Sequence, residues 1–152
     1  MDRGSIDIRL ARSEDEEATL DLLEELFEPP GRRPQDYTRA RGREGFRHCL
    51  QRPDADVLLA LESHTVVGLA SVYAGTPFMR FGRRCWLEDL VVASSRRSEG
   101  IGKRLLETAA EWARKQGCTH LELESGVGRK DAHRFYISNG MEQGSLSFSR
   151  PV

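Results

Sequence analysis

Cys85-Trp86-Leu87-Glu88-Asp89-Leu90-Val91-Val92 is apolar almost throughout, and it runs straight into Ala93-Ser94-Ser95-Arg96-Arg97-Ser98-Glu99-Gly100-Ile101-Gly102-Lys103. A strand this apolar is expected to be buried on both faces of a sheet. The polar turn after it holds two glycines, which let the backbone approach a ligand and take positive φ. From Lys103 to Gln116, Leu105, Leu106, Ala109, Trp112 and Ala113 share one helical face, and Gly117 ends the run. Thr119 to Glu124 alternates, with Leu121 and Leu123 inward. Strand, helix and strand over Trp86–Glu124 predict a parallel pair joined by a right-handed crossover.

Working outward, Ile6, Ile8 and Leu10 alternate with Asp7 and Arg9 as in a half-buried strand. Ser13 and Glu16 read as a capping box for a helix whose apolar face is Leu20, Leu23, Leu26 and Phe27, stopped by Pro29-Pro30-Gly31. A second helix is expected from Asp36 towards Leu50, with Phe46, Cys49 and Leu50 reaching the core. Val57–Leu61 and Thr65–Val72 flank Glu62-Ser63-His64 as a hairpin. Asp131–Ser138 is a short helix stopped at Asn139-Gly140, and Ser145–Arg150 alternates as a last strand. The predicted order is β-α-α-β-β-β-α-β-α-β. That is a single α/β domain over 1–152, with a mixed, largely antiparallel central sheet flanked by helices.

The 152 residues carry 23 Lys and Arg against 24 Asp and Glu, a net charge of −1. That balance argues against nucleic acid as a partner, because phosphate binding needs a basic excess. No stretch approaches the roughly 18 apolar residues that span a membrane, and the N-terminal residues lack a signal-peptide apolar region. Cys49, Cys85 and Cys118 form no CxxC pair, so neither a disulfide framework nor a structural zinc site is expected. A cytoplasmic protein follows as the expectation.

The turn at Arg96–Lys103 has the chemistry of an anion cradle. Free N–H groups at the start of a helix, its dipole, and Arg96, Arg97 and Lys103 all favour phosphate. Two nucleotide motifs fail here. A Walker A loop needs glycine where Arg97 stands and Ser or Thr where Arg104 stands. A dinucleotide fingerprint needs a third glycine where Leu105 stands.

Arg97-Ser98-Glu99-Gly100-Ile101-Gly102 resembles the Arg/Gln-x-x-Gly-x-Gly/Ala motif of the GNAT superfamily of acyl-CoA-dependent N-acetyltransferases. Ala132-His133-Arg134-Phe135-Tyr136, followed by Asn139-Gly140-Met141, resembles that family's second motif. The element order from Ile6 to Phe148 fits as well, so the resemblance covers essentially the whole chain. It implies a GNAT-like fold with a splayed parallel strand pair, and acetyl-CoA as acyl donor. The pyrophosphate would lie on the backbone of Ser98, Glu99, Gly100, Ile101, Gly102 and Lys103. The pantetheine arm would pair with Leu90, Val91 and Val92, and Arg97, Asp131 and Phe135 complete the cofactor-binding set. Two departures stand out: Ser98 replaces a frequent glycine, and Arg129 replaces an asparagine that contacts the pantetheine arm.

An amine acceptor must lose a proton before it attacks a thioester. Glu88 and Asp89 are the candidate bases, expected on opposite strand faces so that only one looks into the site. The backbone N–H of Val91 or Val92 could hold the oxyanion. Tyr136 resembles the family's general acid. The cysteines, with no histidine partner by spacing, read as packing residues, so direct transfer is expected; no metal ligand is assigned, and an optional divalent metal near Asp131 and His133 is left open. His133 shares a helical face with Tyr136, and it or Asp131 could reach the cofactor. Arg32, Arg33, Arg39, Arg41 and Arg43, with the segment Ala74–Arg84, offer a wall suited to a small-molecule amine bearing an acidic group. Val127–Gln143 further resembles aminoalkylphosphonate N-acetyltransferases. The alternatives are acetylation of protein lysines or N-termini, and a non-catalytic acyl-CoA-binding module. Relatives that form dimers leave a homodimer open, with no interface signal in the sequence.

Overall fold

The structure is a computed structural model that describes residues 4–152. Five strands, β1 (Ile6–Leu10), β2 (Ala55–Glu62), β3 (Thr65–Ala74), β4 (Arg84–Val92) and β5 (His120–Glu122), form one sheet in that order. All neighbours are antiparallel except β4 and β5, which are parallel. Four helices cover it: α1 (Glu16–Glu24), α2 (Arg39–Gln51), α3 (Ile101–Lys115) and α4 (Lys130–Ser138). The mixed, mostly antiparallel sheet with flanking helices is the architecture expected from the pattern.

Alternation along the strands splits the core into two layers. On one face Leu58, Ala60, Ala70, Val72, Cys85 and Leu87 pack against Ile101, Leu105, Leu106, Ala109 and Ala113 of α3. On the other, Val57, Leu59, Leu61, Leu69 and Val91 pack against Leu22 of α1 and Phe46 of α2. Burying each of the Leu, Val, Ile and Phe side chains contributes roughly 1.5–3 kcal/mol. Gly68 brings α3 close: a Cβ there would lie 2.9 Å from Leu105 Cδ1 and 3.1 Å from Ile101 Cγ2. Trp112 packs on the α3 layer and donates from Nε1 to Asp56 Oδ2 at 2.8 Å.

Three expectations shift. At the first helix, Arg12 N donates to Asp15 Oδ2 at 2.7 Å, so Asp15 rather than Glu16 closes the entry; Arg9 holds the same carboxylate at 2.7 and 3.0 Å. The second helix starts at Arg39, where Thr38 Oγ1 accepts from Arg41 N at 3.1 Å. The last strand, Ser145–Arg150, does not form, and the chain beyond Gly140 has no helix or strand. Leu146 and Phe148 lie exposed. Alternation makes a strand only beside an edge long enough to pair with, and the free edge of β5 is three residues long. Among the described residues no helix is long and apolar enough to cross a membrane.

Candidate active site

β4 pairs with β5 only over Arg84–Trp86, opposite His120–Glu122, then runs on to Val92 without that neighbour. The backbone groups of Leu90, Val91 and Val92 that face away from β3 are therefore left for a ligand's amides. Arg97 Nε stands 3.4 Å from the Val92 carbonyl, a long bond that a ligand N–H can replace. Past Ser94–Arg96, Ser98 (φ 63°) and Gly100 (φ 82°) take the left-handed conformation. Such alternation makes successive N–H groups converge, and the first turn of α3 adds its own. Ile101 is buried and fixes the helix start. A Cβ on Gly102 would stand 3.3 Å from Phe135 Cζ, so the ring of Phe135 rests on that first turn. Lys103 borders a groove of about 440 Å3 between α3 and α4, shared with Glu107, Ser138 and Asn139. Arg96 is not mobile charge, because it pairs with Glu62 and with Glu99.

On α4, Tyr136 is half-buried, edge-on to Phe135 with ring centroids 5.4 Å apart. Burial holds its hydroxyl pKa above the ordinary tyrosine range, partly offset by the charge of Arg129. The phenol therefore keeps its proton throughout the neutral range. Asp131 is exposed and pairs with Arg134 one turn along its own helix. His133 Nε2 lies 2.9 Å from the Gly126 carbonyl, closing the turn that leads into α4.

The acid pair on β4 is arranged by an irregularity that periodicity does not reveal. Ser71 pairs with Asp89 and Val72 with Leu87, so Glu88 is an extra residue in the ladder. The extra residue flips the phase of the strand. Leu87, Leu90 and Val92 all pack on the α3 side, while Val91 packs beneath α1 and α2. Glu88 and Asp89 thus do not point to opposite faces; both are kept off the α3 side. Asp89 Oδ2 accepts from Ser71 Oγ at 2.7 Å, and its carboxyl, stripped of water, is raised in pKa. Glu88 instead is exposed in a cleft of about 460 Å3 with Tyr73, Trp86, Leu87 and Glu124. Partial burial, Asp89 and Glu124 push its carboxyl above the usual carboxylate range. Among the described residues no group of three or more His, Cys, Asp or Glu is placed to hold a metal ion.

A splayed parallel pair and a glycine-bent anion turn meet at one end of the sheet, and Phe135, next to Tyr136 on α4, rests on that turn. The model of the acetyltransferase (GNAT) family matches residues 17–141. The chain belongs to the GNAT family. This GNAT protein is an acyltransferase, and acetyl-CoA is its acyl donor. It is 32% identical, over 96% of its length and 91% of the relative's, to aminoalkylphosphonate N-acetyltransferase of Salmonella typhimurium. It is 38% identical to an uncharacterised N-acetyltransferase of Bacillus subtilis, over 68% of this chain and 73% of that one. A solved aminoglycoside N-acetyltransferase in complex with CoA superposes with a TM-score of 0.85 at 18% identity, covering 99% of this chain and 98% of that one. At that identity the likeness speaks for the fold.

The arginine wall expected of this GNAT domain is largely occupied. Arg39 bonds Glu17 at 2.9 Å and Asp21 at 2.7 Å, and reaches Glu24 at 3.1 Å. Arg43 takes Glu17 at 2.7 Å, and Arg47 takes Glu16 at 2.6 Å. Arg33 packs over the Tyr37 ring at 5.0 Å and Arg41 bonds the Asp36 carbonyl at 3.0 Å. Arg39, Arg43 and Arg47 thus zip α2 to the acidic face of α1. Arg83 and Arg84 are also engaged, Arg83 by the carbonyls of Gly75 and Gln116 and Arg84 by Glu122 at 3.1 Å. The periodicity of α1 and α2 carried the signal, since acidic and basic residues on facing helices pair.

Three site residues escaped the sequence reading. Tyr73 and Trp86 sit opposite each other on β3 and β4, but only the register shows it. Glu124 reaches the cleft because the chain leaves β5 at Glu122. Burial pushes the Cys85 thiol up to about 12, and those of Cys49 and Cys118 upward as well. Such thiols hold almost no thiolate near neutral pH.

Proposed function

We propose that this acetyltransferase moves the acetyl group of acetyl-CoA directly to a small primary amine, with Glu88 as the base and Tyr136 as the acid. The observation that carries the reading is the extra residue in β4. It sets Glu88 in an open cleft, a few residues before the unpaired backbone of Leu90–Val92.

An alkylamine with a pKa near 10 is neutral in only about one part in a thousand at pH 7. A carboxylate raised above its usual range takes that proton more readily than an ordinary one. Glu88, directly or through a water, accepts it as the nitrogen attacks the thioester carbonyl. The N–H of Val92, which points away from β3, faces the oxygen on which charge develops, while that of Val91 is turned to Leu69. The O–H of Tyr136 gives its proton to the departing thiolate. Asp89, bonded to Ser71, holds the backbone in which Glu88 is displayed. In this reading the backbone of Ser98–Lys103 takes the pyrophosphate, Leu90–Val92 take the pantetheine amides, and Arg97, Asp131 and Phe135 border the same ligand. The protonated state of Cys85 speaks for direct transfer over a thioester on the enzyme.

The finer reading is an acceptor that also carries an acidic group. The likeness to the aminoalkylphosphonate enzyme over nearly the whole chain supports it. The α2 arginines do not, because α1 carboxylates hold Arg39, Arg43 and Arg47 and the Asp36 carbonyl takes Arg41. Release of free thiol from acetyl-CoA tests the reading, measured with small amines, amino acids and lysine peptides. Turnover with small amines and loss of it in Glu88→Gln are expected. Turnover confined to peptides would overturn the small-amine acceptor, and binding of acetyl-CoA without turnover of any amine would overturn the catalytic assignment.

A further inference from the structure

Arg129 is the N-cap of α4, yet its side chain crosses to another part of the chain. Nη2 donates to the Leu26 carbonyl at 2.9 Å, just after α1. Gly31 closes on the same place: a Cβ there would fall against the Leu26 carbonyl and 2.5 Å from Arg129 Nη2. The turn Leu26–Gly31 thus wraps the guanidinium, and Arg129 straps the α1 side of the site to the helix that carries Tyr136.

The charge is unusual in its surroundings. Arg9, Arg39, Arg84 and Arg96 are also partly buried, and each meets a carboxylate; Arg83, which likewise has none, is held by two carbonyls where Arg129 has one. Among the described residues no carboxylate pairs with Arg129. A guanidinium has five N–H donors in a planar fork, and the Leu26 carbonyl uses one. A partly desolvated cation without a counter-ion gains most from an anion that fits the fork.

We propose that Arg129 is the specificity-determining residue that takes the anionic group of the acceptor, a carboxylate or phosphonate, through the donors left after the Leu26 bond. The inference rests on the acetyl-transfer reading of this same site and supplies the cation that the α2 arginines do not. The acceptor is then a zwitterion, its amine handled at Glu88 and its acid at Arg129. Lysine would keep the charge but not the bidentate fork, and glutamine would keep neither.

The test compares kcat/KM for 2-aminoethylphosphonate and β-alanine with that for ethanolamine, an amine without an acidic group, in the wild type, Arg129→Gln and Arg129→Lys. The wild type is expected to favour the acids by roughly 10- to 100-fold, the range of a charged hydrogen-bond pair. Arg129→Gln is expected to bring the ratio near one, chiefly by raising KM for the acids, and Arg129→Lys to keep part of the preference. A role as strap alone would lower acceptors with and without an acidic group together and leave the ratio intact. That result, or a wild type without preference, overturns the inference while leaving acetyl transfer standing. A wild type that acetylates no amine overturns the acetyl-transfer reading first, and this one with it.

Discussion

Ser71 and Asp89 hold each other twice across β3 and β4: Ser71 Oγ donates to Asp89 Oδ2 at 2.7 Å and accepts from Asp89 N at 3.0 Å. The two bonds lie directly beside the unpaired Glu88, so they fix the place where the strand gains a residue. Ser71→Ala removes both and leaves a desolvated carboxyl with no partner. The expected cost is about 1–3 kcal/mol, seen as a lower urea midpoint with an unchanged slope. Turnover should fall further than stability accounts for, since Glu88 loses its fixed display. Full activity in a folded Ser71→Ala protein would show that the bulge is held by packing instead.

The raised carboxyl of Glu88 predicts the acid limb of the rate profile. Activity needs the ionised form, so kcat at saturating amine should rise with pH through a pKa above the ordinary glutamate range. Glu88→Gln should lower kcat by about 100- to 10,000-fold and abolish that limb. Tyr136, held above the ordinary range, should impose no alkaline fall before about pH 10. An acid limb that persists in Glu88→Gln assigns the base elsewhere.

Charge pairing between α1 and α2 predicts a stability profile of a different shape. Arg43 and Arg39 hold the Glu17 carboxyl down at about 2, against an ordinary value of 4.5. Its folded pKa lies below its unfolded one, so the contribution is complete above about pH 4.5 and is lost as pH falls towards 2. Glu17→Gln should flatten the fall in melting temperature across that window, and added salt should blunt the difference because the pair is exposed. Parallel profiles for the two proteins would contradict the pairing.

Gly102 lets Phe135 rest on the first turn of α3. Gly102→Val should push the ring away and crowd the N–H groups meant for the pyrophosphate. Calorimetry should show acetyl-CoA binding weakened by about tenfold or more, the cost of one or two lost charged hydrogen bonds. Undiminished affinity would place the pyrophosphate elsewhere.

The sheet and the cofactor half were readable because local chemistry dictates them. Val91 and Val92 must be covered, Gly100 must supply positive φ, and the Leu105–Ala109 face needs a sheet to lie on. The acceptor half depends on pairings between distant segments. Nothing near Glu88 announces an extra residue, because the bulge exists only against Ser71 and Val72 on another strand. Arg39 and Arg43 look like a wall until Glu17, some twenty residues earlier, is brought against them. Ser145–Arg150 alternates like a strand, but alternation states which side would face a core, not how long an edge stands ready to receive it, and β5 offers three residues. Arg129, a departure from the family pattern, gained its meaning only from the Leu26 carbonyl it reaches.

The central claim is that Glu88 serves direct acetyl transfer to a small primary amine. Steady-state thiol release from acetyl-CoA, followed against amine concentration in the wild type and Glu88→Gln, tests it most directly. Amine-dependent release that saturates is expected, with the acetyl group recovered on the amine and the rate at least about 100-fold lower in Glu88→Gln. Release that ignores the amine, or equal rates in the two proteins, would contradict it.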